Sequence, residues 1–278
     1  ATVDISDNPD ITSGLNGVNI TGGVQNASVT VSNNNDGIFA ENTGVFIEGV
    51  LGDDATFEIA DNNIFGGTGE NDDGIHVKHT GDNKSNAELT ISGNQIGRPA
   101  DEDEDIDAKA GAGDDGIEVH SVNDAVIGVL KNKDSNAAGE GANEIYGADT
   151  GIKLRNSNDT RIVNNTVKGI QGHQTHTGID VSGSSGPDYG VWVYGSDIDN
   201  VSDVGIHVVG SDGNSEDFSD PDIWGNDINP GGDATGILVE DSDYTSIGVI
   251  GHTQLGSGPE DGNVISNAGA GIFVKNSS

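Results

Sequence analysis

Two stretches, Gly74-Ile75-His76-Val77-Lys78 and Gly116-Ile117-Glu118-Val119-His120, share one pattern: a glycine, then apolar and polar residues in strict alternation. A period of two belongs to a strand with one buried face. Ile75, Val77, Ile117 and Val119 therefore point to a core, and His76, Lys78, Glu118 and His120 point out. The phrase begins eight times, at Gly37, Gly74, Gly116, Gly151, Gly178, Gly205, Gly236 and Gly271. Successive starts are 37, 42, 35, 27, 27, 31 and 35 residues apart. Such variation does not suit a rigid helical-pair repeat, but suits a coil whose corners carry loops of different length.

A second phrase follows in most rungs, in which an asparagine precedes a β-branched residue by two: Asn62 with Ile64, Asn94 with Ile96, Asn143 with Ile145, Asn165 with Val167, Asn226 with Ile228. Asparagine tolerates left-handed backbone, so we expect these residues to turn a stacked corner between two strands. No stretch carries an apolar stripe at helical spacing. The expected fold is all-β: residues 1–278 as a single-domain parallel β-helix, a solenoid of about nine rungs, right-handed as parallel crossovers overwhelmingly are. The domain is expected to begin and end in mid-rung. Joining Gly271–Ser278 to Ala1–Ile11 reproduces the order of strand, loop, strand and corner found from Gly74 to Ile96. We therefore expect either a longer array or head-to-tail contact with other copies, a heterologous association that builds a filament.

The chain has 278 residues, 44 of them glycine, and 47 acidic residues against 11 basic ones, a formal charge of −36. That charge excludes nucleic acid as a partner and disfavours an anionic membrane surface. No run approaches the length of a membrane helix, so no membrane span is expected. Without cysteine there is neither a disulfide nor thiol chemistry. A surface so acidic suits salt or divalent cations, and we expect an extracellular or cell-surface location.

These phrases resemble the parallel β-helix repeats of the pectate-lyase-like superfamily over nearly the whole chain. Two stretches, Ile127–Ile152 and Ile247–Ile272, also resemble a repeat of large bacterial and archaeal surface proteins, in which Ile-Gly leads through a Gly-rich loop and an Asn to the next Gly-Ile. The resemblance implies a fold but does not choose an activity, because the superfamily spans lyases, hydrolases, epimerases, tailspikes and adhesins.

Aligning the eight phrases gives two outward columns. One runs Phe39, His76, Glu118, Lys153, Asp180, His207, Leu238, Phe273; the other runs Glu41, Lys78, His120, Arg155, Ser182, Val209, Glu240, Lys275. In the enzymes of the superfamily this sheet floors a saccharide groove. Read that way, Lys78, Lys153 and Arg155 would neutralise a polyuronate, His76 or His120 would move a proton, and Asp115 would act as a catalytic acid. The other reading is a ladder of alternating charge that stabilises neighbouring strands. The Arg-Xaa-Pro-Xaa-Xaa-Arg run of pectate lyases and the Gly-His-Gly and Arg-Ile-Lys motifs of polygalacturonases are missing. The epimerase Tyr-Gly-Xaa-Asp-Pro-His is matched only in its first four positions, at Tyr146–Asp149 and Tyr194–Asp197. Asp36, Asp73 and Asp115 directly precede a glycine, with Thr150, Thr177 and Thr235 continuing the column. Because threonine substitutes there, a side-chain oxygen accepting a turn amide is the favoured role.

Two further features concern ligands. Asp101, Asp103, Asp105 and Asp107 alternate within one loop, and Asp212, Asn214 and Asp217 form a smaller group; hard oxygen donors at that density suit Ca²⁺. Tyr194 and Trp224 fall at equivalent places one rung apart, where they would either stack on each other or offer a sugar platform. The expected function is an extracellular structural or adhesive solenoid that stacks head to tail and is stabilised by Ca²⁺. The alternative is a polysaccharide-active enzyme using the charged sheet.

Overall fold

The computed structural model describes residues 1–66, 72–97, 113–129, 141–170, 174–184, 190–212, 221–248 and 262–277. Among them every regular element is a strand, and the strands form three parallel sheets of nine. Each turn of the chain contributes one strand to each sheet in order, so the stack is a parallel β-helix of nine rungs. The first sheet runs from Thr2–Ser6 to Ser246–Ile247 and the second from Ile11–Ser13 to Val264–Ile265. The third consists of Val18–Thr21, Val45–Gly49, Ile75–His79, Asp115–His120, Thr150–Arg155, Thr175–Ser182, Val201–Val209, Thr235–Glu240 and Ala270–Lys275.

Parallel pairing in register stacks like on like. Ile75, Ile117, Ile152, Ile179, Ile206 and Ile237 lie above one another in the third sheet, all fully buried. Val77, Val119, Leu154, Val181 and Val208 make the parallel column two residues on. Branched side chains about 4.8 Å apart fill most of a narrow core, with Phe57 buried among them, which explains the thin hydrophobic fraction of the chain.

The repeated glycine answers a steric demand at the corner between the second and third sheets. A Cβ on Gly74 would lie 2.3 Å from Ile96 Cγ2 and 2.6 Å from the Gly116 carbonyl oxygen; one on Gly116 would lie 2.4 Å from Ile145 Cγ2 and 2.5 Å from the Gly151 oxygen. The same collision recurs at Gly17, Gly44, Gly151, Gly178, Gly205 and Gly236. Gly37 belongs elsewhere. Its strand, Ile38–Ala40, pairs with Ile11–Ser13 and Asn63–Phe65 in the second sheet. The true members of the third-sheet column are Gly17 and Gly44, followed by Val18 and Val45. A β-branched valine fills the inward site as isoleucine does, so a phrase that required Gly-Ile passed over both and took Gly37 instead. The outward columns therefore contain Phe46 and Glu48 in place of Phe39 and Glu41, and Thr43 stands before the glycine in place of Asp36.

The corner asparagines also differ from expectation. Left-handed backbone occurs one residue earlier, at Asn33, Asp61, Gly93, Asn164, Gly195 and Gly225. The next residue turns its amide inward and builds a ladder. Asn34 Nδ2 donates to Asn62 Oδ1 at 2.7 Å, Asn62 to Asn94 at 2.9 Å, Asn94 to Asn143 at 3.0 Å and Asn143 to Asn165 at 2.9 Å. Each Nδ2 also donates to a first-sheet carbonyl, for Asn62 that of Val31 and for Asn94 that of Ile59. A buried primary amide supplies two donors and an acceptor at a corner where strand pairing lapses, and needs all of them. At the corner from the third sheet to the first, serines do the equivalent. The amides of Ser157, Ser184, Ser211 and Ser242 donate to the hydroxyls of Ser184, Ser211, Ser242 and Ser277 at 3.0–3.1 Å.

Candidate functional site

The outward face of the third sheet gathers the charged residues that the sequence brings into alternation. Register places Phe46, His76, Glu118, Lys153, Asp180 and His207 in one column, and Glu48, Lys78, His120, Arg155 and Ser182 in the next. His76 sits between two carboxylates, its Nδ1 3.0 Å from Asp73 Oδ2 and 2.9 Å from Glu118 Oε2. Its ring lies parallel to Phe46, centroids 5.0 Å apart. Burial lowers the histidine's proton affinity, but the hydrogen bonds and charges of Asp73 and Glu118 more than reverse this and push its pKa up to about 9. His76 is therefore an imidazolium at neutral pH. Burial acts against Glu118 as well, and His76, Lys153 and Arg155 outweigh it to hold the carboxyl below its ordinary range.

Lys153 leaves its column neighbours and reaches the preceding rung, where Nζ lies 2.6 Å from Asp115 Oδ2. Asp115 is almost fully buried. Burial pushes its carboxyl up to about 7; the Lys153 contact opposes that shift, and the charges of Asp73 and Asp114 add to it. Carboxylate oxygens of Asp73, Asp114 and Asp115 all lie within 4.8 Å of one another, as do ligand atoms of Asp73, His76 and Glu118. Asp115 Oδ1 and His76 Nε2 are buried without a hydrogen-bond partner among the described residues. The cluster can thus hold a carboxylic acid protonated near neutrality beside the cations of Lys153 and His76.

The other proposed residues are present but engaged. Arg155 Nε approaches Glu118 Oε1 at 3.6 Å and Lys78 Nζ approaches Glu48 Oε1 at 3.4 Å. His120 lies between Lys78 and Arg155 in register. Burial first, and then these cations against the opposing pull of Glu118, keep its pKa below the ordinary value. Further along, His207 contacts Asp180 at 3.0 Å and Glu240 at 3.3 Å, and Lys275 contacts Glu240 at 2.6 Å. Cross-strand pairs thus form at His76–Glu118 and Asp180–His207, while Lys153 breaks the alternation expected between them by turning to Asp115.

The column predicts that Asp73 accepts a turn amide of its own rung; its Oδ1 instead accepts the backbone N–H of Asp115 in the next rung at 3.2 Å. Its second role, as the anchor of His76, depends on a side-chain direction that a strand pattern does not show. The Phe46 ring is a member of the site that the Gly-Ile pattern does not reach, because its rung carries Gly44-Val45 at the equivalent place.

On the first sheet, Tyr194 and Trp224 are register partners with parallel rings, centroids 4.8 Å apart. Trp192 meets Trp224 edge-on at 5.8 Å, and the Arg161 guanidinium lies 5.2 Å from the Trp192 ring centre. The aromatics cover one another's faces. Of the second cation group, Asp212 uses Oδ1 to accept the Asp243 amide at 3.1 Å, while Asn214 and Asp217 lie outside the described residues. Asp101, Asp103, Asp105 and Asp107 also lie outside them.

No family model matches the sequence, and no curated protein matches it significantly. A solved structure of QnrB1, a plasmid-mediated fluoroquinolone resistance protein, aligns over 88% of this chain and 92% of its own at 10% identity, with a TM-score of 0.21. An overlap that low carries no argument. No helix among the described residues is long and apolar enough to cross a membrane.

Proposed function

We propose that this chain is a structural β-solenoid of an extracellular or cell-surface assembly, a rod that lengthens by end-on contact with other copies of itself. The observation that carries this reading is the contrast between inner and outer rungs. Ile237 and Val239 are 0% and 1% exposed, whereas their register partners Ile272 and Val274 are 52% and 54% exposed. At the opposite end Val3 and Leu15 stand out at 40% and 67%. In a stack of this kind each rung's apolar residues are covered by the rung that follows, whether of the same chain or of another copy, and strand edges of this type template another strand. Electron microscopy and sedimentation of the purified chain, with and without Ca²⁺, test the reading. Rods longer than one copy are expected, and Ile272→Asp should shorten them. Monomers throughout at high concentration would overturn it.

A second reading, polysaccharide processing, is favoured by one feature: the acid held near pH 7 at Asp115 beside Asp73 and Asp114. Against it stand the burial of Asp115 and the pairing of Lys153 and Arg155. Incubation with polygalacturonate and alginate decides it. Turnover that is lost in both Asp115→Asn and Arg155→Ala would establish the enzyme, and no turnover in the parent would dismiss it.

A further inference from the structure

Among the described residues, five ion pairs join a lysine or arginine to a carboxylate. Four have a cation at least one-third exposed, and such pairs contribute little. Lys153 and Asp115 differ: their side chains are 15% and 2% exposed, and Nζ lies 2.6 Å from Oδ2. Removing both charges from water is costly, and the cost is only partly returned by their attraction. The remaining carboxylate oxygen, Asp115 Oδ1, is buried with no partner among the described residues. Two more carboxylates, Asp73 and Asp114, stand within 4.8 Å of the acid.

We propose that Lys153 and Asp115 condense into an intramolecular isopeptide bond that staples strand Thr150–Arg155 to strand Asp115–His120. The ammonium of Lys153 gives a proton to the neighbouring carboxylates and its freed lone pair attacks Cγ of Asp115. The Nζ–Cγ bond forms, a Cγ–O bond breaks, and the oxygen leaves as water carrying two protons that began on the ammonium. One positive and one negative charge disappear together, so no oxidant, reductant or activating group is required. Holding the two groups in contact replaces a bimolecular step by an intramolecular one, where effective concentrations reach roughly 10⁵ M and above, far beyond that of the water that would reverse it. Burial that keeps part of Asp115 as the neutral acid favours the electrophile. Burial lowers the proton affinity of Lys153, but its hydrogen bond to Asp115 and the charges of Asp115 and Glu118 more than reverse this, which makes removal of the proton the slow step. The product replaces a desolvated ion pair by a neutral amide and does not depend on how the rod assembles.

Peptide mapping of the denatured full chain by mass spectrometry tests this. Asp115 precedes Gly116, and an Asp-Gly pair can lose one water by closing on its own backbone, so intact mass alone does not separate the two products. The expected result is a branched peptide joining the segments around Asp115 and Lys153, with trypsin unable to cut after Lys153. The branch should vanish in Asp115→Asn/Lys153→Arg, a double variant that removes both reacting groups. Recovery of Asp115 and Lys153 from the parent only in separate linear peptides, with normal cleavage after Lys153, would overturn the proposal.

Discussion

Asn94 and Asn143 are 49 residues apart in the chain, yet the Nδ2 of one donates to the Oδ1 of the other at 3.0 Å across a single step between rungs. Their separation spans the longest rung, and the contact is as close as in rungs of ordinary length. The corner is therefore fixed by the buried amide rather than by the loop beyond it. Removing the amide in Asn94→Ala leaves the Asn62 backbone N–H and side-chain amide without their acceptor, and the Ile59 carbonyl without a donor. We expect a loss of about 3 kcal/mol, read as a lower urea midpoint. Asn94→Ser should lose less, because Ser196 holds the same ladder position between Asn165 and Asn226.

Glycine at the second corner admits an equally sharp check. In Gly116→Ala the new methyl would meet the Gly151 carbonyl oxygen at 2.5 Å, an atom fixed by the sheet. Overpacking against backbone should cost about 3 kcal/mol. Gly232→Ala, with nothing within 4 Å of the added carbon, should leave the midpoint unchanged or raise it. Equal effects at the two positions would contradict the steric account.

Proton uptake by His76 makes stability depend on pH in a defined direction. Its folded pKa, about 9, exceeds the ordinary 6.5, so the contribution is complete below pH 6.5 and is lost as pH rises through 9. After allowance for solvent screening, on the order of 2 kcal/mol should disappear between pH 6 and pH 10. His76→Gln should flatten that part of the profile in urea titrations at fixed salt. A profile unchanged by the substitution would remove the Asp73–His76–Glu118 network as its cause.

Ionic strength separates the ladder from the rest of the surface. In the outward columns of the third sheet Glu48, Glu118, Asp180 and Glu240 balance Lys78, Lys153, Arg155 and Lys275. The formal charge of −36 therefore belongs to other parts of the molecule and is repulsive. Added NaCl should raise the thermal midpoint, because screening relieves that repulsion more than it weakens the partly buried pairs. A falling midpoint would show that the ladder outweighs it.

The order of strands was legible wherever a side chain's role follows from alternation and size. Ile75, Val77, Ile117 and Val119 could face only inward, and the Tyr194–Trp224 stack follows from equal positions in successive rungs. Alignment failed at Gly37 because local pattern does not distinguish a glycine that meets the next rung's carbonyl from one that merely starts a strand. Side-chain reach was not legible either. In the column, Lys153 should meet Glu118 or Asp180, and it reaches Asp115 instead, since a long flexible stem answers to the nearest buried charge and not to strict register. A stack of parallel rungs follows from the residue pattern alone, because a period of two repeated at rung-length intervals buries its apolar face only by stacking. That Asp73, Asp114, Asp115, His76 and Lys153 form one cluster is a matter of tertiary structure, because burial and proton affinity depend on what surrounds a group in space.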